Sequence, residues 1–483
     1  MKIKDSVYIG LDIGSTHIKA AAYTTAGDLK SIARLSTPVH VSSDGGIYHL
    51  SSELWEKTLK CLIECINGMK DIKIKGIGIA SMAESGVFMD ADGKENDYIL
   101  AWYDQRPSHF LKEIQKKVPA KEFFERTGLI PDSKYSLLKM IWMKRFMPDI
   151  WKSARTWLNI ADFIAYKLTG HMQSEISLDS RTMLFNIKKR HWDQDLIKEF
   201  GIKDELFKEP VHSGQLIGKL VEDVARVLKI PKGIPVTIAG HDHIVGAFGI
   251  GAIFDGDVTN SCGTAETLII TIPEKDLSQF PTLPPFTIGC HVIPNRHYVL
   301  LPVGRTGGIV EWFLSITGWN YDQFLDVLSK DEIKDGSIDF FPIPFDEGNQ
   351  VQYGWFGGAI THSNSSELSH ALIHGLGNLF RNRMELLENL NFPIERLMVI
   401  GGSTQNQFWM RTKANILNKN LQIVRDSEAV ARGAAILAAK SCGEIEDVPT
   451  PPSLTIEPDL KEIDRLEDHY KNRYLKTISN INK

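Results

Sequence analysis

The sequence has few cysteines, no long hydrophobic run and no surplus of one charge, and each shortage removes a class of protein. Its cysteines are five, Cys61, Cys65, Cys262, Cys290 and Cys442, an odd and scattered set. No disulfide framework can be read from them, and a reducing cytoplasm is the expected setting. Cys61 and Cys65 have the spacing of one helix face, which suits a core better than a metal site. The longest apolar run near the middle, Ile244 to Phe254, is too short to cross a bilayer. Met1-Lys2-Ile3-Lys4-Asp5 leads straight into an expected strand, without the pattern of a signal peptide. A net charge of −5 gives no reason to expect a nucleic-acid partner. The chain also lacks a G-x-x-x-x-G-K-S/T phosphate loop, and Gly76-Ile77-Gly78 and Gly214 to Lys219 have the wrong spacing for one. His370 and His374 lack the intervening Glu of a zinc-protease helix and are read as structural.

What is present is ordinary globular material in unusual repetition. With 483 residues, 43% hydrophobic and 24% charged, the chain exceeds one core and suits two domains. The opening Tyr8-Ile9-Gly10-Leu11-Asp12-Ile13-Gly14-Ser15-Thr16-His17-Ile18-Lys19 reads as strand, tight turn, strand. Glycine lets backbone amides approach a ligand, Ser15 and Thr16 add donors, and Asp12 stands where it can hold a cation or its water shell. Taken alone, the segment is better read as a plain hairpin whose polar residues satisfy the turn. A second copy changes that reading. Asp257 to Thr271 again runs strand, Gly263-Thr264 turn, strand, about half a chain later. Two such hairpins suggest a duplicated domain closing on a nucleotide, with 251–256 as the hinge.

Elsewhere the pattern is α/β. Strands are expected at Ile72 to Ala80, Ile234 to Ala239 and Leu397 to Ile400, and helices at Ser51 to Met69, through much of Lys121 to Phe200, and from Asn364-Ser365-Ser366-Glu367 to about Asn389. Pro-rich 448–452 sets off a charged helix near Asp459 to Thr477. Asp242 closes an apolar strand, at the edge where ligands bind in α/β sheets, and as an aspartate it is expected to stay ionised at neutral pH. Period two places His241 and His243 on the face opposite Asp242, with a metal pair a minor alternative. Gly401-Gly402-Ser403 with Asn406 is a close-approach turn, and Glu428 to Ala435 a helix with a small-residue face. Either suits an adenine ring or simple helix–strand packing equally well.

Together these pieces resemble the FGGY carbohydrate kinases of the sugar kinase/Hsp70/actin superfamily, in order along nearly the whole chain. Asp12-x-Gly14-Ser15-Thr16-x-x-Lys19 is similar to that family's first phosphate motif, and Gly263-Thr264 to its second. Gly76 to Glu84 and Trp102-Tyr103-Asp104-Gln105-Arg106 resemble its substrate-site strands. Leu178 to Ile187, followed by Trp192-Asp193, is similar to a stretch best developed in glycerol kinases. Gly240 to Gly249 resembles the catalytic-Asp motif, Gly307 and Glu311 positions contacting nucleotide, and Gly402, Asn406 and Glu428 to Ala435 the adenosine motif.

The resemblance implies two ribonuclease-H-like domains of the actin-like ATPase class, each with a five-stranded mixed sheet, and a catalytic cleft between them. The expected blocks are 1–251 for sugar and base, 252–445 for ATP, and 446–483 as a tail with a helix. It implies transfer of the γ-phosphoryl of ATP to a hydroxyl of a small sugar or polyol. Asp242 would be the base, and Mg²⁺ would be held by Asp12 and Asp242. Glu84, Trp102, Asp104, Arg106, Lys134, Asp242 and His243 would meet the sugar. Ser15, Thr16, Lys19, Gly263, Thr264, Gly307, Glu311, Gly402 and Asn406 would meet the nucleotide. No nucleic-acid or membrane partner is expected, and a homodimer is compatible with the reading. The alternative is a catalytically weak ATP-binding regulator of the same superfamily.

Departures leave the sugar open. Glycerol kinases carry an Arg before the Glu matching Glu84, and here it is Ala83; their substrate-packing Tyr aligns with Lys134, beside Tyr135; their Gln after the base is His243. Xylulokinases have Gln-Met-His at Met82-Ala83-Glu84, and Phe345 to Gln350 replaces the family's frequent Gly-Glu-Arg-x-Pro.

Overall fold

The computed structural model describes residues 6–69, 72–330, 338–343, 354–358, 364–426 and 428–481. The segment Phe345 to Gln350 lies outside them. Two compact units form, the first from Met1–Ile253, Pro273–Tyr298 and Glu428–Pro451, the second from Phe254–Ile272, Val299–Ser427 and Pro452–Lys483. The chain first passes between them at Ile253/Phe254, inside the expected 251–256 segment. The units are not the sequential blocks 1–251, 252–445 and 446–483, because residues 273–298 and 428–451 pack back into the first.

In the first unit the strand Ser6–Ile13 pairs antiparallel with His17–Tyr23, which pairs antiparallel with Leu29–Ser36. On its other side Ser6–Ile13 runs parallel to Lys73–Ser81, which runs parallel to Pro235–His241. This is the expected five-stranded mixed sheet, with Leu216–Lys219 added antiparallel at one edge. The second unit repeats the order around Asp257–Cys262. That strand pairs antiparallel with Glu266–Pro273 and parallel with Arg396–Ile400, which runs parallel to Leu421–Val424. Ser453–Ile456 is the added edge, antiparallel to Leu421–Val424.

Alternation divides the first strand between two cores. Val7, Ile9, Leu11 and Ile13 join one large cluster with Cys61, Cys65, Ile77 and Ile79, as period two requires. The opposite face, carrying Tyr8 and Gly10, is covered by the helix Ala429–Ser441 through Ala431, Ala435, Ala438 and Ala439. The approach is so close that a Cβ on Gly10 would stand 1.7 Å from the Ala431 carbonyl oxygen, and one on Gly78 would stand 2.0 Å from that of Ala434. Of the two uses open to this small-residue face, an adenine ring or helix–strand packing, Ala431 and Ala434 serve the packing.

The helix Ser365–Asn389 begins where its capping box predicts: the Glu367 amide donates to Asn364 Oδ1 (2.9 Å) and the Asn364 amide to Glu367 Oε2 (3.2 Å). His370 and His374 on it pack against the Phe408 ring, in keeping with a structural role. No helix among the described residues is long and apolar enough to cross a membrane.

Candidate active site

Parallel strands bring three carboxylates to one sheet edge. In the first unit Asp12 pairs with Ala80, Ile13 with Ser81, and Ser81 with His241. Asp12 thus ends one strand, Glu84 follows the second by a short turn, and Asp242 follows the third. This C-terminal edge is where ligands bind in such sheets.

The turn after Asp12 is tight, the Gly14 amide donating to the His17 carbonyl at 3.0 Å. Ser15 is half-buried and Thr16 exposed, so both hydroxyls can be reached. Lys19 lies across from Asp12 in the antiparallel register, its Nζ 3.5 Å from Asp12 Oδ2 and 3.0 Å from Glu428 Oε2. Arg34 holds the other Glu428 oxygen at 2.8 Å. Desolvation pushes the Asp12 carboxyl up to about 7 against the pull of Lys19, and Asp242 and Glu428 add to the rise.

Asp242 is the first residue of the helix Asp242–Gly249 and not the last of its strand. Alternation therefore stops at His241, whose Nε2 lies 3.3 Å from Asp242 Oδ1; the expectation that both histidines face away from Asp242 fails for this reason. The same oxygen accepts the His243 amide at 2.7 Å. Asp242 is 22% exposed, hemmed in yet open to a ligand. Desolvation pushes it up to about 7, opposed by the His243 amide and reinforced by the charge of Glu84. It is thus not the fully ionised aspartate expected at neutral pH. Desolvation also lowers both His241 and His243, which keeps them neutral. No group of three or more His, Cys, Asp or Glu side chains placed to hold a metal ion occurs among the described residues.

Glu84 is buried and adopts φ = +66°, a conformation rare for a residue with a Cβ. Its Oε1 accepts from Arg181 Nε (2.8 Å) and lies 2.7 Å from Nη2. Arg181 is almost fully buried, donates from Nη1 to Thr287 Oγ1 at 3.0 Å, and lies over the Tyr135 ring at 5.2 Å. Lys134 stands over the other reach of that ring at 5.3 Å, paired to Asp132 at 2.9 Å. Trp102 is 36% exposed, an aromatic free to stack on a ligand.

Asp104 and Arg106 do not stand with it. Asp104 is fully buried and accepts from the Ile47 and Arg106 amides, both at 2.8 Å. The Arg106 guanidinium bonds Asp104, Asp44 and Tyr98 and covers the Trp142 ring at 4.4 Å. With their groups spent on one another and on the loop, they buttress the segment that carries Trp102. Lys139, absent from the sequence-derived set, shares that task. Its buried Nζ donates to the carbonyls of Trp102 (3.3 Å) and Lys134, and desolvation lowers it to about 7.

In the second unit the Gly263-Thr264 turn is exposed. The Gly308 amide donates to the Thr264 carbonyl at 3.0 Å, and a Cβ on Gly307 would lie 2.3 Å from the Gly263 carbonyl. Gly401, at φ = +106°, passes as closely by Cys262. The strand end, the helix Thr306–Thr317 with exposed Glu311, and the Gly401-Gly402 turn therefore converge around one set of backbone groups. Asn406 is buried, and its Oδ1 caps the following helix by accepting the Trp409 amide at 2.9 Å. Beneath the turn lies a group that sequence reasoning missed. Lys413 Nζ, fully buried, lies 2.5 Å from Glu266 Oε1 and donates to Asn260 Oδ1 at 2.9 Å.

Chemically, the first unit offers a carboxylate near its ionisation point, a carboxylate and an aromatic suited to hydroxyls and a ring face, and amides and hydroxyls suited to phosphate. The FGGY family of carbohydrate kinases, N-terminal domain, matches residues 7–249, and its C-terminal domain matches residues 344–442. An L-fuculokinase of Escherichia coli is 25% identical over 479 residues, covering 98% of this chain and 97% of its own. A xylulose kinase of Rhodospirillum rubrum has the same fold, with a TM-score of 0.90, 20% identity and 98% of each chain covered. A glycerol kinase of Plasmodium falciparum, solved with ADP, gives a TM-score of 0.88 at 19% identity, again over 98% of each chain.

Proposed function

Since the chain belongs to the FGGY family of carbohydrate kinases, we propose that it transfers the γ-phosphoryl of ATP to a hydroxyl of a small sugar or polyol, with Asp242 as general base. The observation that carries the base assignment is Asp242 itself, at a helix start on the ligand-binding sheet edge, partly open and ionising near neutral pH. A base with that poise can take the proton of a hydroxyl as its oxygen attacks phosphorus and return it afterwards. Glu84 accepts sugar hydroxyls, and Trp102 packs on the sugar's carbon face. Lys134, over the Tyr135 ring that Arg181 also faces, and His243, whose amide bonds Asp242, border the sugar. Ser15, Thr16 and the amides of their turn donate to phosphate oxygens, while Lys19 balances the surrounding carboxylates. In the second unit the reachable backbone at Gly263, Thr264, Gly307 and Gly402, with Glu311 and Asn406 beside it, serves ATP.

Asp12 and Asp242 suit Mg²⁺. Burial disfavours charge on both, and the charge of Asp242 adds to this at Asp12, so a nearby cation would favour the ionised pair; one or two carboxylates are what this ion takes when phosphates complete its shell. Bound there, Mg²⁺ would neutralise phosphate charge. The five free thiols fit a reducing cytoplasm.

The test is release of ADP from ATP with and without D-xylulose, L-fuculose and glycerol. Sugar-dependent release that Asp242→Asn abolishes is the expected result. Release that no sugar stimulates, or that survives the substitution, overturns the proposal.

A further inference from the structure

Glu84 is held by a residue from another part of the chain, and the manner of holding is informative. Its left-handed backbone is costly for a glutamate and persists only where the surroundings fix it. Ser136 Oγ donates to its carbonyl at 3.1 Å, and Arg181 takes its side chain. Both guanidinium contacts fall on one oxygen, Oε1; no described residue donates to Oε2. Arg181 is in turn immobilised by Thr287 and the Tyr135 ring. A carboxylate gripped at one oxygen presents the other in a fixed direction.

Resting on the kinase reading above, we propose that Arg181 is a positioning residue for the sugar: it aims Glu84 Oε2 at a substrate hydroxyl without touching the substrate itself. The neighbouring cations fit this division of labour. Lys134 is paired to Asp132, Lys139 is spent on carbonyls, and Arg181 has its Nε, Nη1 and Nη2 engaged. All three already face acceptors of this chain, and Glu84 repels a substrate carboxylate. Beside Arg181 and His243, Tyr135 Oη and His241 Nδ1 are buried, neutral and without a hydrogen-bond partner among the described residues. Tyr298 lies against the His241 ring at 6.2 Å, and it senses the charges of Arg181 and Glu84. Such atoms match hydroxyls, so the same wall discriminates against a sugar acid.

The experiment is a double-mutant cycle on the full chain, with Arg181→Lys, Glu84→Gln and the double variant. It is read as KM for sugar against KM for ATP, with D-xylulose, L-fuculose, glycerol and D-gluconate as probes. Arg181→Lys should raise the sugar KM about 10- to 100-fold, because a point ammonium cannot reproduce the two-pronged hold. The ATP KM should stay within about 3-fold. In the Glu84→Gln background the same substitution should add about 2-fold or less, since its effect passes through that carboxylate. Independent, multiplying effects, or equal shifts in both KM values, overturn the proposal. If Arg181→Lys does not fold, Thr287→Val loosens the same guanidinium and should raise the sugar KM alone by about 2- to 5-fold; an unchanged value overturns it. Gluconate bound or phosphorylated in preference to the neutral probes refutes the discrimination. Sugar binding is also measured by calorimetry without ATP. Absence of sugar-dependent ADP release removes the kinase reading alone, and the Arg181 assignment then stands or falls on whether these variants weaken calorimetric binding. Absence of binding by every probe overturns the assignment.

Discussion

Lys19 Nζ lies 3.0 Å from Glu428 Oε2, joining the first hairpin of the chain to the residue that opens one of its last helices. The same ammonium is 3.5 Å from Asp12. It therefore sets the charge balance of the sheet edge and couples the hairpin to the helix Ala429–Ser441.

The ionisation of that edge should be visible in kinetics. Burial raises both Asp242 and Asp12 to about 7, and the charge of Asp242 adds to the rise at Asp12. A general base works deprotonated. Hence kcat/KM should fall below about pH 7, by roughly tenfold per unit at first. A profile flat from pH 5.5 to 8 would remove Asp242 from the role of base.

Replacing Lys19 by methionine should move that limb upward. Lys19 lowers both carboxyls, and without it each holds its proton to higher pH. A rise in the apparent pKa of about 0.5–1 unit is expected. A shift in the other direction would show that Lys19 acts on something other than these acids.

Asp242→Asn should lower turnover by about two to four orders of magnitude and yet melt higher than the parent at pH 8. The sign follows from the raised native pKa. Ionising Asp242 in the folded chain is disfavoured, so its stability contribution is complete at low pH and lost as pH rises through about 7. Asparagine carries no such loss. The gain, about 2–4 °C at pH 8, should shrink as pH falls towards 4. Thermal scans at several pH values decide it, and a gain that grows in acid contradicts the argument.

Lys413→Met leaves Glu266 buried without its cation. It should destabilise the chain by about 3–5 kcal/mol, and Lys413→Met with Glu266→Gln should recover much of the loss. Denaturant titration measures both. If the double variant is as unstable as the single one, the lysine matters for packing against Phe380, over whose ring it sits at 4.2 Å, and not for its charge.

How far the sequence revealed this site depends on how local each signal is. Asp12, Asp242 and the two Gly-hydroxyl turns stand at ends of apolar strands, where a carboxylate or glycine has few other uses. The duplicated hairpin was legible for the same reason, whereas the sheet around it followed only from the family resemblance. Arg181 was missed because its partner lies 97 residues away. The hints are that it falls in the Leu178 to Ile187 stretch similar to glycerol kinases and that Asp179 and Arg181 are charges set among Leu178, Met183 and Leu184. Lys139 and Lys413 carry a similar hint, each interrupting a helix that is otherwise buried on that face. Asp104 and Arg106 misled for the opposite reason: polar residues two apart near a tryptophan look like a binding wall, but at that spacing they satisfy each other.

The glycines at 10 and 78 have a consequence for how the protein is made. They let the helix Ala429–Ser441 lie close against one face of the first sheet, so a ribosome finishes every strand of that sheet long before it supplies this cover. Residues emerging early must wait, one apolar face bare, while nearly the whole remaining message is translated. A nascent chain released before that helix would expose Tyr8, Ala21 and Tyr23 to water. Protein quality control would meet this sheet face as an exposed hydrophobic surface, and a premature stop codon ahead of residue 429 would harm the first unit as surely as the second.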